Sequence, residues 1–165
     1  MSQRIQRITP FLWFDHDAEA AARFYVSVFD DARILHVARY GKSGAQASGQ
    51  AEGAVMTVSF ELDGQAFLAL NGGPAFPLTP AVSFVVNCRD QQEIDRYWTA
   101  LSDGGDERAQ QCGWLRDRFG VSWQVVPVQI TELMAGDPAR AERVMAQVMK
   151  MKKLDLHVLE QAAAG

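Results

Sequence analysis

The sequence predicts an α+β fold: two βαβββ modules whose strands form a curved mixed sheet around a cavity, with helices added at the C-terminus. Three observations carry this expectation. First, "ITPFLWFDHDAEAAARFY" (Ile8–Tyr25) is echoed by "LTPAVSFVVNCRDQQEIDRYW" (Leu78–Trp98). Both open on an apolar residue, Thr and Pro, pass through a strand-like run into a helical one, and close on Arg and two aromatics, which marks a duplicated unit. Second, "VMTVSFELDGQAFLALNGG" holds two apolar runs joined by Asp63-Gly64, a strong signal for a tight hairpin. Third, Asp137-Pro138 opens a helical pattern beyond the last strand. A βαβββ unit buries a sheet face poorly by itself, so two copies are expected to share an interior.

The elements follow in order. Ile8–Phe14 reads as a buried strand. Asp17 is placed to cap a helix over Ala18–Phe29, with Phe24, Val28 and Phe29 inward. Ile34–Tyr40 returns to strand character. "GKSGAQASGQAEG" (Gly41–Gly53) is small, polar and aperiodic, and reads as a mobile surface loop or a lid. The Asp63-Gly64 turn sets Leu62 opposite Gln65, Phe60 opposite Phe67, Val58 opposite Ala69 and Met56 opposite Asn71, all on one face. Leu68 and Leu70 fall on the other, available to pack under a helix. In the second copy, Ala81–Cys88 is a strand and Asp90 caps a helix to Ser102, with Ile94, Tyr97, Trp98 and Leu101 at core spacing. A weakly marked strand near Glu107–Gln111 precedes a hairpin turning at Asp117–Gly120. Val121–Val126 is the last strand. Helices over about Pro138–Lys150 and Asp155–Ala163 close the chain. The modules are thus residues 8–74 and 75–128, with a helical extension over 129–165.

Composition narrows the function classes. The 165 residues are 48% hydrophobic and 22% charged, with net charge −4. That balance fits one globular domain and disfavours a nucleic-acid partner, which selects for a basic face. No apolar run approaches the roughly 20 residues that span a bilayer, and "MSQRIQRITP" lacks an apolar leader, so a cytoplasmic protein is expected. Cys88 and Cys112 then read as reduced thiols.

Duplicated βαβββ units resemble the vicinal oxygen chelate superfamily of glyoxalases, bleomycin-resistance proteins and extradiol dioxygenases. More closely, "ITPFLWFD", "AAARFY", "VMTVSFELDGQAFLALNGGP", "TPAVSF", "CGWLRDRFGVSWQVVP" and "MKMKKLDLHVLEQA" are similar to its PhnB-like branch, which often carries the label 3-demethylubiquinone 3-methyltransferase. The likeness runs from Ile8 to Ala162.

The resemblance implies a divalent metal held by His, Gln and Glu on four strands. Here the matching positions are Pro10 on the first strand; Phe67, Ala69 and Asn71 after the hairpin; Pro80, Ala81 and Val82 opening the second copy; and Gln124 on the last strand. Only Gln124 and Asn71 offer an oxygen, whereas a divalent transition metal selects several His, Cys or carboxylate donors. No metal or other cofactor is therefore expected. His16, His36 and His157 read as three unrelated residues. The methyltransferase label implies a Gly-rich loop between a strand and a helix. Gly72-Gly73 precedes Pro74, and Gly104-Gly105 follows a helix, so neither suits it.

The expected function is binding of a small molecule in a cavity between the modules, lined by Phe14, Phe60, Phe67 and Trp114, with Asn71 and Gln124 supplying polar contacts. A metal-dependent lyase, isomerase or dioxygenase is the alternative, and a methyltransferase a weaker one. Some residues carry two readings. Trp114 is a cross-strand partner of Trp123 in the core, or the wall of a ligand site. Arg116, Asp117 and Arg118 form a solvated turn, or a carboxylate or phosphate site. Gln124 bonds Asn71 or backbone, or meets a ligand. The Met-bearing C-terminal helices are expected to pack on their own chain and to join a homodimer.

Overall fold

The computed structural model describes residues 5–165. Residues 1–4, the head of the stretch read above as lacking a leader, lie outside them. The chain forms two compact units, Met1–Leu78 and Thr79–Gly165.

In the first unit, β1 (Phe11–Phe14), α1 (Ala18–Val28), β2 (Arg33–Arg39), a short helix α2 (Lys42–Ser48), β3 (Val55–Leu62) and β4 (Gln65–Asn71) follow one another. The strands form one sheet in the order β1-β4-β3-β2. β1 runs parallel to β4, and the other pairs are antiparallel. The hairpin has the register expected from its turn: Leu62 faces Gln65, Phe60 faces Phe67 and Val58 faces Ala69. Asp63 (φ 49°) and Gly64 (φ 72°) both take the left-handed conformation that a two-residue type I′ turn requires.

Helix α1 covers the Phe60 face. Its inner side is small, with Ala18, Ala21 and Ala22 fully buried beside Tyr25. That leaves room for large rings from the sheet. Tyr25 stacks on Phe60 at 6.3 Å, and Phe60 stacks on Phe67 at 5.5 Å. Leu12 and Phe14, paired with Ala69 and Asn71, complete this core. Leu68 and Leu70 lie on the opposite, helix-free face, so the expectation that they pack under the helix is reversed. Tyr25 also takes the inward position expected for Phe24 and Phe29, which are half-buried.

The second unit repeats the plan with one strand fewer. Strands β5 (Phe84–Cys88), β6 (Trp114–Arg116) and β7 (Ser122–Pro127) form a sheet in the order β5-β7-β6, with β5 parallel to β7. Helix α3 (Gln91–Ser102) buries Ile94, Trp98 and Leu101. Asp90 caps it as expected, accepting from the Glu93 N–H at 2.9 Å. The strand expected near Glu107–Gln111 is instead a 3₁₀ turn at Glu107–Ala109, capped by Asp106, followed by a single bridge from Gln111 to Trp114. Residues 81–83 do not join the strand expected from Ala81.

The loop reading of 41–53 is also corrected. Lys42–Ser48 is helical and ends on Gly49 at φ 73°, the left-handed conformation that glycine adopts without steric cost. At the C-terminus, α4 (Ile130–Met134) was not anticipated, whereas α5 (Pro138–Val148) and α6 (Leu156–Ala164) were. Val144, Val148, Leu154 and Leu159 form their shared core, with Val126 of β7 packed against it. Among the described residues no helix is long and apolar enough to cross a membrane.

Candidate functional site

The first unit spends its most conspicuous motif, Leu70-Asn71-Gly72-Gly73, on its own framework. Asn71 is buried at the end of β4. Its Oδ1 accepts from the backbone N–H of Ala18 at 2.8 Å, so Asn71 caps α1 where Asp17, which makes no side-chain cap bond, was expected to. Its Nδ2 donates to the Val55 carbonyl at 3.1 Å, and its carbonyl accepts from the Tyr40 hydroxyl at 2.6 Å. Next along, the Trp13 ring lies over Gly72, where an added Cβ would fall 2.2 Å from it. The indole N–H of Trp13 donates to the Gly73 carbonyl at 2.9 Å, and Phe76 meets the ring edge-on at 4.9 Å.

The structure therefore sets Phe14, Phe60, Phe67 and Asn71 together in the layer beneath α1. The sheet residues away from that helix are Trp13, Thr57, Ser59, Leu68 and Leu70, all half-buried. The alternation of the strands could not rank the two faces, because both are apolar. The usable signal was the alanine-rich side of α1, which calls for bulky partners.

In the second unit the tip of the β6–β7 hairpin differs from the solvated turn and from the Trp114–Trp123 pairing expected there. Arg116 pairs with Ser122, Leu115 with Trp123 and Trp114 with Gln124. The loop holds one residue more than the Trp114–Trp123 pairing assumes, with Gly120 at φ 92° supplying the left-handed position. A one-residue shift turns a side chain to the other face. Trp123 thus lies in the core, only 3% exposed, and Trp114 lies away from it. Asp117 is buried rather than solvated. It accepts from the N–H groups of Phe119 (2.8 Å) and Val121 (3.0 Å) and from the indole N–H of Trp123 (2.8 Å). Arg116 pairs with Asp106 at 2.6 Å and Arg118 with Asp103 at 2.5 Å. Arg108 joins Asp106 at 3.0 Å. Arg108 and Arg116 hold the Asp106 carboxyl down at about 2, the side-chain bond from Arg108 being the largest cause. They border an open depression of about 510 Å³ beside Gly104, Gly105 and Phe119. The carboxylates answer the guanidinium charge there, so the arrangement is first a brace between the hairpin tip and the end of α3.

Helix α3 packs on the sheet face that carries Val86, Leu115, Trp123 and Val125. On the other face, Trp114, Gln124 and Val85 lie in one row across the three strands. Gln124 donates to the Ser83 hydroxyl at 2.9 Å, not to Asn71. Of the six sequence candidates, the structure thus brings Trp114 and Gln124 together on the sheet face away from α3, whose Val126 end packs on the C-terminal helices. Ser83, which sequence reasoning missed, joins them; it stands just ahead of β5 and gave no motif to follow.

The positions that would carry the family metal do not form a donor set. Pro10, Phe67, Ala69, Pro80, Ala81 and Val82 have no side-chain donor, Asn71 is bonded to Ala18 and Val55, the other face of β4 carries Leu68 and Leu70, and Gln124 offers one amide already bonded to Ser83. Among the described residues no three His, Cys, Asp or Glu side chains converge. His16 is exposed between Asp15 and Asp17, His36 is exposed on β2, and His157 contacts Gln161 on α6.

With this geometry in hand, a family model described as 3-demethylubiquinone-9 3-methyltransferase matches residues 6–126. The chain belongs to this family. Among solved structures, it is similar to a Bacillus cereus PhnB protein that carries the same methyltransferase label, at 35% identity over 74% of this chain and 100% of that one, with a TM-score of 0.63. A Pseudomonas aeruginosa protein shares 23% identity over 74% of this chain and 98% of its own, at a TM-score of 0.59. The fosfomycin resistance protein FosX from Mesorhizobium loti shares 17% over 81% and 100%, at 0.55. The last two show the fold alone. No curated protein matches the chain. The chain is thus PhnB-like, with an α+β fold shared with the fosfomycin resistance protein FosX.

Proposed function

We propose that this PhnB-like chain binds a small organic molecule on the sheet face of the second unit away from α3, without the divalent metal usual in the vicinal oxygen chelate superfamily it resembles. The carrying observation is the row Trp114–Gln124–Val85 with Ser83 beside it: an aromatic wall, an apolar residue and two hydrogen-bonding groups. Such a mixture, largely apolar with a few placed polar groups, is what small-molecule sites use. The poor donor set at Pro10, Phe67, Ala69, Asn71, Pro80 and Gln124 supports the metal-free half of the reading.

Metal analysis of protein purified without chelator tests it. Substoichiometric metal is the expected result. One tightly held Zn, Ni, Mn or Fe per chain would instead favour a metal-dependent lyase, isomerase or dioxygenase.

The family label and the Bacillus cereus relative favour a second reading, methyl transfer. Titration calorimetry with S-adenosylmethionine separates it from the first: no heat and no thermal shift are expected.

For assembly, we propose a homodimer in the cytoplasm. Met145, Met149 and Val128 leave 39%, 58% and 49% of their surface exposed, and flexible thioethers suit a partner surface. Sedimentation at micromolar concentration should give twice the chain mass. A monomer would set the assembly reading aside and leave the binding reading standing.

A further inference from the structure

The binding reading leaves open what kind of molecule the second unit takes, and the chemistry around Trp114 narrows it. Trp13 and Trp123 both spend their indole N–H on the protein. Among the described residues, Trp114 makes no such bond and stacks on no other ring. Gln124 uses its Nε2 on Ser83, which leaves its carbonyl oxygen as an acceptor. The Ser83 hydroxyl accepts that bond and keeps its own proton to donate. A half-buried aromatic ring therefore stands beside one acceptor and two donors, all uncharged. Val85, 49% exposed, extends the apolar floor.

On this face of β5, β6 and β7 the one charged side chain, Arg116, is engaged. Arg116, two residues along β6 from Trp114, is paired with Asp106 at 2.6 Å, and Asp106 also holds Arg108. Asn87, two residues along β5 from Val85, is neutral. An anion seated on this face would lose hydration with only the Asp106-bound Arg116 of these strands to receive it, and desolvating a charge without its own partner is costly. A flat neutral molecule loses little hydration, stacks on the indole and satisfies the amide and hydroxyl.

Resting on the binding reading, we propose that the Ser83–Trp114–Gln124 face selects an uncharged planar aromatic molecule bearing a hydroxyl or carbonyl, and discriminates against its carboxylate, phosphate or phosphonate counterpart. Ser83 and Gln124 read the polar edge, and Trp114 holds the ring.

Calorimetry on the full chain at neutral pH tests this with a matched pair of probes, neutral 2-naphthol and anionic 2-naphthoate. The expected result is at least ~10-fold tighter binding of 2-naphthol, the size of one well-placed interaction. Gln124→Met and Ser83→Ala should each weaken 2-naphthol several-fold while leaving the melting temperature within a few degrees. Trp114→Leu should remove most of the binding. Should that variant fail to fold, the milder pair carries the test alone. Equal or tighter binding of 2-naphthoate, still sensitive to Gln124→Met, overturns the neutral class but keeps the binding face. If neither probe binds, or binding ignores all three substitutions, the binding reading itself falls.

Discussion

The side-chain oxygen of Asn71 caps the helix that begins at Ala18, across 53 residues of sequence, at 2.8 Å. The same amide holds the start of β3 through the Val55 carbonyl. Asn71→Ala should therefore cost about 1–3 kcal/mol, the range for losing a cap and orphaning a buried partner. Asn71→Asp keeps the acceptor and should cost less. Urea unfolding of the three proteins checks the order. A loss under about 0.5 kcal/mol for the alanine variant would show that water replaces both bonds.

Gly72 is required by the tryptophan above it. Trp13 cannot swing away freely, because its N–H is bonded to Gly73 and its ring is met by Phe76. Gly72→Ala should destabilise by about 1–3 kcal/mol through overpacking. Trp13→Leu should remove most of that penalty. A double-mutant cycle that came out additive would separate the two residues energetically, against their contact.

The hairpin tip depends on a buried carboxylate. Asp117 serves Phe119, Val121 and Trp123 at once. Asp117→Ala leaves these donors without an acceptor and should cost at least about 2 kcal/mol. Trp123 should then emit at longer wavelength as water reaches its indole. Unchanged emission and stability would argue for a turn held by its backbone alone.

Acid should release the Asp106 brace. Its carboxyl sits at about 2 in the folded chain, below its ordinary 3.8, chiefly through Arg108. A group lowered by folding stabilises fully above its unfolded value and loses that contribution as pH falls through the folded one. The expected loss thus lies between roughly pH 4 and 2. Asp106→Asn should unfold with a shallower acid dependence in that window. Glu93, lowered by its bonds to Arg89, contributes in the same direction and should remain in the variant.

The two thiols should differ in reactivity. Burial pushes Cys88 up to about 12, with Glu93 and Asp90 adding to the shift. Cys88 therefore stays a neutral thiol at pH 8, whereas the half-buried Cys112 is reachable. Ellman's reagent should titrate one thiol per native chain and two in denaturant. Two fast thiols in the native state would mean that β5 opens readily.

Several features were legible before the structure because a local rule dictates them. Asp63-Gly64 accepts positive φ at both positions, so the hairpin register followed. Asp90 caps its helix as expected, and Asp137-Pro138 opens one, with Asp137 accepting from the Ala139 N–H. What stayed hidden depended on partners distant in sequence. The cap of α1 comes from Asn71, not from its neighbour Asp17. The face beneath α1 was decided by the size of Ala18, Ala21 and Ala22 against Phe60 and Phe67. One extra loop residue, with Gly120 left-handed, separated Trp114 from Trp123. Of the candidate site, Trp114 and Gln124 were readable from type and spacing, whereas Ser83 needed the fold to bring it beside Gln124.

The placement of Asn71 also bears on the order in which the chain is made. Helix α1 emerges from the ribosome early, but its cap is among the last residues of its unit to appear. A nascent chain that stops short of β4 has the helix without its acceptor, β1 without its parallel neighbour, and Tyr40 without the carbonyl that anchors its hydroxyl. The α1 cap, the β1–β4 pair and the Tyr40 anchor thus all wait for one late segment of the unit.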